Sequence, residues 1–99
     1  MDDYLGFEWD PTKETINHKK HGVSFGEAYT VFLDENAICI FDEGHSAKEP
    51  RYIMLGLSEK MNLLVVAYCL RGNNIRIISA RKANKHEEKD YNRYGKWFS

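Results

Sequence analysis

Leu63-Leu64-Val65-Val66-Ala67-Tyr68-Cys69-Leu70, then Arg71-Gly72-Asn73-Asn74, then Ile75-Arg76-Ile77-Ile78-Ser79-Ala80-Arg81-Lys82, is the stretch that decides the fold. The first segment is an unbroken apolar run, long enough for a central strand and too short for a buried helix. Gly72-Asn73-Asn74 supplies residues that tolerate positive φ, so a tight hairpin turn is expected there. The third segment returns as a strand. Period-two geometry predicts Ile75, Ile77, Ser79 and Arg81 on one face, with Arg76, Ile78, Ala80 and Lys82 on the other.

Working backward, Arg51–Leu57 reads as another strand, joined to the hairpin by a turn at Ser58–Asn62. Ala37–Phe41 is β-rich, and a polar loop runs from Asp42 to Pro50. Leu5–Trp9 is a short strand candidate. Asp10-Pro11 predicts a helix start: Asp10 accepts from free N–H groups, and Pro11 sits where no N–H is missed. Gly22 ends that helix after about His21. Ser24-Phe25-Gly26-Glu27 has the pattern of a capping box, with Glu27 expected to reach back. Phe25, Ala28, Tyr29, Phe32 and Leu33 follow at spacings that place them on one buried helical face. At the other end, Asn84-Lys85-His86-Glu87 caps a last helix that carries Tyr91 and Tyr94.

The predicted order is strand, two helices, four strands, helix. It implies an α+β fold: an antiparallel β-meander with two N-terminal helices and one C-terminal helix packed on the sheet. With helices on one face, the other can stay open, and function is expected there or at a sheet edge. Ninety-nine residues are expected to make a single domain, 1–99.

The chain is 42% hydrophobic and 29% charged, which suits a folded globular protein and not a disordered one. No apolar run approaches the roughly 18 residues of a membrane span. Met1-Asp2-Asp3-Tyr4 lacks the basic-then-apolar pattern of a signal peptide, so a cytoplasmic location is expected. Cys39 and Cys69 each lie within apolar runs and are expected as buried free thiols. The net charge of −1 hides an asymmetry: residues 1–50 carry −7 and residues 51–99 carry +6. A positive surface from the later half is therefore available to phosphate, unless the halves neutralise each other.

Arg51, Arg71, Arg76 and Arg81 flank predicted strand ends. The guanidinium fork fits paired phosphate oxygens, so they are candidates for a phosphate cradle, with internal ion pairing as the alternative. Pro50 keeps Glu49 extended beside Arg51. Glu49 is either a general base for a ribose 2′-OH or half of a strand-edge salt bridge. His18 and His21 lie three apart on a helix, but no partner completes a metal motif, and no metal or cofactor is expected. His21 either caps the helix C-terminus or serves as a proton donor or phosphate contact. His45 and His86 carry no specific signal. Phosphate-binding loops and nucleophile elbows are absent. What remains is acid–base chemistry on a phosphodiester, where RNA supplies its own nucleophile.

Phe7-Glu8-Trp9-Asp10, Lys13, Asn17, Lys20-His21-Gly22, Phe25, Ala28, Phe32, Asp34, the Glu49–Arg51 step with Gly56, Arg76-Ile77-Ile78-Ser79-Ala80-Arg81-Lys82-Ala83, Glu87 and Tyr91 together resemble the BrnT toxin family. The resemblance covers about residues 7–91. It implies a RelE-like fold and a type II toxin–antitoxin role, with metal-independent RNA cleavage that inhibits translation. It also implies a BrnA-like ribbon-helix-helix antitoxin, with operator DNA contacted only through that partner. Roles carry over to Glu49, Arg51, Arg76 and Arg81, and more loosely to Lys20, His21, Lys82 and Tyr91. On that reading Arg51 and Arg81 grip the phosphate and Glu49 takes the 2′-OH proton. His21 or Lys82 serves the leaving oxygen, and Tyr91 stacks on a base or orients the phosphate. The rival reading is a non-catalytic module that binds an antitoxin or nucleic acid.

Overall fold

The computed structural model describes residues 6–94. Its strands are β1 (Gly6–Glu8), β2 (Ile38–Phe41), β3 (Arg51–Leu57), β4 (Leu63–Arg71) and β5 (Asn74–Lys82). Its helices are α1 (Pro11–His21), α2 (Phe25–Thr30) and α3 (Lys85–Tyr94), with a 3-10 turn at Val31–Leu33 continuing α2 and another at Glu43–His45 in the loop after β2. The sheet order is β1-β5-β4-β3-β2. Strands β2 to β5 form the expected antiparallel meander. The sheet as a whole is mixed, however, because β1 joins β5 in parallel. After β1 the chain passes through α1 and α2 and enters the sheet at the far edge as β2. This leaves β1 to lie along the outer side of the last strand.

The local start and stop signals act as expected. Asp10 accepts from the Thr12 N–H at 2.8 Å, and Gly22 closes α1 at φ 71°. Gly72 opens the β4–β5 turn at φ 58°. Asn84 and Glu87 cap α3 reciprocally, each side chain accepting from the other's backbone N–H at 2.8 and 2.9 Å. The box at Ser24 is only half made. Ser24 Oγ accepts from the Glu27 N–H, but the Glu27 carboxylate turns instead to the Ser58 hydroxyl and the Asn62 amide. The predicted apolar face of α2 is also shortened. Helix geometry gives way to a 3-10 turn after Thr30, and the change of period leaves Leu33 exposed while Val31 is buried; Tyr29, still within α2, is exposed as well.

The core lies between α1–α2 and one sheet face, where Phe25, Ala28 and Val31 meet Leu64, Val66, Ile75, Ile77 and Ala80. The 3-10 turn sits close on β3 because position 56 is glycine. A Cβ there would lie 2.7 Å from Val31 Cγ1 and 3.0 Å from the Ala37 Cβ. Gly56→Ala should therefore cost about 1–3 kcal/mol by overpacking, read as a lower urea midpoint at unchanged slope.

Strict alternation fails once in β5. Ala67 pairs with Ser79 but Tyr68 pairs with Ile77, so Ile78 is an inserted residue. Ile75 and Ile77 face the core before this bulge, and Ala80 faces it afterwards. Ser79 and Arg81 consequently turn to the opposite face. Arg76 pairs with Cys69, which pairs with Arg51, so these three share a row on that face too. The bulge thus corrects the expectation that Arg76 and Arg81 emerge on opposite sides.

The opposite face is not fully open. α3 stands beside it, and Tyr94 lines a groove there together with Ile38, Ile40, Ile53 and Leu55. Tyr91 ties α3 to the 3-10 turn by donating to Asp34 Oδ2 at 2.6 Å, and the same oxygen accepts from the Leu57 N–H at 2.8 Å. Cys69 is a buried free thiol as expected. Cys39 is exposed, because β2 is an edge strand. No helix among the described residues is long and apolar enough to cross a membrane.

Candidate functional site

A cleft of about 400 Å³ opens on the sheet face away from the α1–α2 core. Its floor is Ile53, Val65, Ala67 and Ser79, its basic walls are Arg51 and Arg81, and His21 and the Asp42–His45 pair stand at its rim. These groups come from four separate places in the chain. His21 ends α1, where the last turn concentrates positive charge against the helix dipole. Asp42 and His45 belong to the loop after β2. Arg51 opens β3, and Arg81 reaches the face through the bulge in β5.

Asp42 Oδ2 lies 2.9 Å from His45 Nδ1. An imidazole held at Nδ1 by a carboxylate presents Nε2 for proton transfer. His45 is largely solvent-exposed, so its ring is accessible to a substrate. Arg51 makes no ion pair among the described residues and is only partly buried, leaving its donor fork available. Arg81 lines the cleft but is held by α3: its two terminal nitrogens reach Glu87 at 2.9 and 2.8 Å.

The other expected site residues are placed elsewhere. Arg76 lies in the Arg51 row but is bound to Glu8 at 2.6 Å, at the β1 side of the sheet. Glu49 is clamped by Arg71 through two hydrogen bonds, of 3.1 and 3.0 Å, and does not line the cleft. The bond to Arg71 holds its carboxyl below the usual range, which makes it a poor proton acceptor. Lys20 and Lys82 are exposed and do not line the cleft. Tyr91 is engaged with Asp34, and burial together with that bond pushes its hydroxyl up to about 12. Among the described residues no cluster of three metal-ligating side chains occurs. Sequence reading missed Asp42 and His45. Their only signal is an i, i+3 spacing in a polar loop, which acquires meaning once the loop is folded against Arg51.

The ion pairs set an acid dependence. Arg81 holds the Glu87 carboxyl below its ordinary 4.5 against an opposing effect of burial. Burial raises the Glu27 carboxyl, but the Ser58 and Asn62 bonds outweigh it and the net shift is downward. Groups depressed in the folded state stabilise it fully above the unfolded value and cease to do so as pH falls through the folded one. The urea midpoint should therefore hold from neutrality to about pH 5 and fall below it, and Glu87→Gln should flatten part of that fall.

The family model described as "Ribonuclease toxin, BrnT, of type II toxin-antitoxin system" matches residues 9–87. The chain therefore belongs to a class of ribonuclease toxins from type II toxin–antitoxin systems. The family is BrnT. The crystal structure of the Brucella abortus ribonuclease toxin BrnT shares the fold, with a TM-score of 0.67 at 23% identity, covering 82% of this chain and 99% of that one. No curated protein matches.

Proposed function

We propose that this chain is an endoribonuclease of RelE-like architecture that cuts RNA by attack of the ribose 2′-OH, without a metal, and thereby inhibits translation. The observation that carries this reading is the convergence of Arg51, Arg81, His21 and the Asp42–His45 pair on one cleft. In it, His45 Nε2 takes the 2′-OH proton while Asp42 stabilises the resulting imidazolium. His21, also at the rim of the cleft, donates a proton to the departing 5′-oxygen. Arg51 binds the phosphate and stabilises the charge that develops on its oxygens. Arg81 adds its field from within the Glu87 pair. Arg76, Lys20 and Lys82 extend the positive surface along which the RNA backbone runs. Glu49 orders the loop before Arg51 through its bond to Arg71, and Tyr91 fixes α3.

The chain works in the cytoplasm as one domain, and is neutralised by a BrnA-like ribbon-helix-helix antitoxin through which alone the complex meets operator DNA. Digestion of RNA by the purified chain tests the chemistry. Products ending in 2′,3′-cyclic phosphate, formed equally with and without EDTA, are expected. Cleavage that EDTA abolishes and magnesium restores would falsify the scheme. An intact substrate bound tightly would favour the non-catalytic module instead.

A further inference from the structure

β2 is a sheet edge with little to protect it. Ile38-Cys39-Ile40-Phe41 contains no charge and no proline, and among the described residues no strand pairs with its outer side. Ile40 and Phe41 are 56% and 50% exposed. Soluble proteins usually guard such an edge with charge, proline or a covering element. Its main-chain groups can be assigned. The Asp42 N–H donates to the Arg51 carbonyl on β3 at 2.9 Å. Alternation along an antiparallel pair then directs Ile40 inward and leaves the N–H and C=O groups of Cys39 and Phe41 pointing out.

A groove lies on each side of this edge. On the α1–α2 side, Cys39, Tyr52, Tyr68 and Leu70 line about 460 Å³. On the α3 side, Ile38, Ile40, Leu55 and Tyr94 line about 540 Å³. A strand added along β2 would send successive side chains alternately into the two. The second groove shares Ile53 and Val65 with the candidate catalytic cleft, and the residue after β2, Asp42, stands on the rim of that cleft. There Arg51 stands without a carboxylate partner among the described residues, beside Arg81 and His21.

We infer that β2 is the docking edge for the antitoxin, which adds an extended, alternately apolar strand to the sheet and places a carboxylate on Arg51. The occupant follows from the role and the geometry: a type II toxin needs a protein that silences it, and this edge is continuous with the cleft to be silenced. Arg51, which has no carboxylate partner among the described residues, selects an acidic side chain where the added strand passes Phe41. Binding and inhibition are then one event, since the strand closes the route by which RNA reaches Arg51 and His45. This inference rests on the toxin–antitoxin reading above.

The test uses the full chain co-expressed with the protein encoded in the adjoining reading frame. Amide exchange should slow at Cys39 and Phe41 in the complex. Cys39→Pro, which removes an outward donor, and Ile40→Lys, which puts a charge in the apolar α3-side groove, should each weaken the complex by about tenfold or more, the scale of one or two lost main-chain hydrogen bonds for the first and of burying an unpaired charge for the second. RNA cleavage by each variant alone should stay unchanged. If a complex forms but the Cys39 and Phe41 amides exchange as in the free chain, the edge assignment fails and the partner reading stands. Protection of those amides in the chain alone, rising with concentration, assigns the edge to a second copy and overturns the inference. Absence of any complex sinks the partner reading together with it. Ile40→Lys keeps the inference exposed to refutation should Cys39→Pro fail to fold.

Discussion

His45→Ala lowers the rate of RNA cleavage by about 10²–10⁴, the usual contribution of a positioned general base, while the thermal midpoint stays within a degree or two, as for other surface substitutions. The second half of the expectation follows from exposure: His45 ends a single 3-10 turn, and its side chain's one described bond is to Asp42. Asp42→Asn should cost a comparable factor, up to about 10⁴, because an amide N–H donated to Nδ1 holds the ring in the tautomer whose Nε2 already carries the proton. Glu49→Gln supplies the contrast. If Glu49 were the base, as its place beside Arg51 first suggests, that variant would show the large loss and His45→Ala would not. Its clamp on Arg71 predicts the reverse. Rates should be taken as single turnovers on a defined oligonucleotide, so that release of product does not mask the chemical step. A His45→Ala variant that cuts at the parent rate would remove the Asp42–His45 pair from the mechanism.

Asn17→Ala should destabilise the fold by about 3 kcal/mol, a large share of the 5–15 kcal/mol that holds a domain together. Asn17 is buried on α1 yet polar. Its amide nitrogen donates to the carbonyls of Val23 and Ala80 at 3.1 and 2.9 Å, and its oxygen accepts from the Ala80 N–H at 3.1 Å. β1 pairs with β5 only from Asn74 to Arg76, so among the described residues no strand lies along the outer edge of β5 at Ala80. The Asn17 side chain takes that strand's place, satisfying both main-chain groups of Ala80 where no water reaches. Removing it strands three buried groups, each carrying about 1–3 kcal/mol of desolvation cost. Ala80 also lies between the bulge and Arg81, so the loss should loosen the cleft as well. Denaturant unfolding measures the first effect, and cleavage below the unfolding midpoint measures the second. A midpoint unchanged by Asn17→Ala would mean that water or a local shift replaces these bonds.

Much of the secondary structure was legible from local chemistry. Asp10-Pro11, Gly22, Gly72 and the Asn84–Glu87 box act within a few residues of themselves, so their roles do not depend on the rest of the chain. Strands β3 and β4 were readable because apolar runs of that length between turn residues have few other uses. Several side chains whose partner the local sequence leaves open find it at a distance along the chain. Glu27 has the spacing to cap its own helix but finds Ser58 and Asn62. Glu49 sits next to Arg51 but binds Arg71. Tyr91 offers a ring and a hydroxyl to a substrate but spends the hydroxyl on Asp34. In each case a side chain with several possible partners goes to the one the fold brings within reach.

By itself the amino-acid order determined the elements, the antiparallel run β2–β5, the family resemblance and the supply of cations from the later half. Tertiary structure alone decided that Arg51 and Arg81 share a cleft, through one inserted residue at Ile78 that no periodicity announces. It alone placed β1 parallel at the sheet edge and brought His21 to the same cleft as the Asp42–His45 pair. The physical reason is range: capping, turn and pleat are settled by neighbours along the chain, whereas a phosphate site is made of groups whose proximity exists only after the sheet has closed its register.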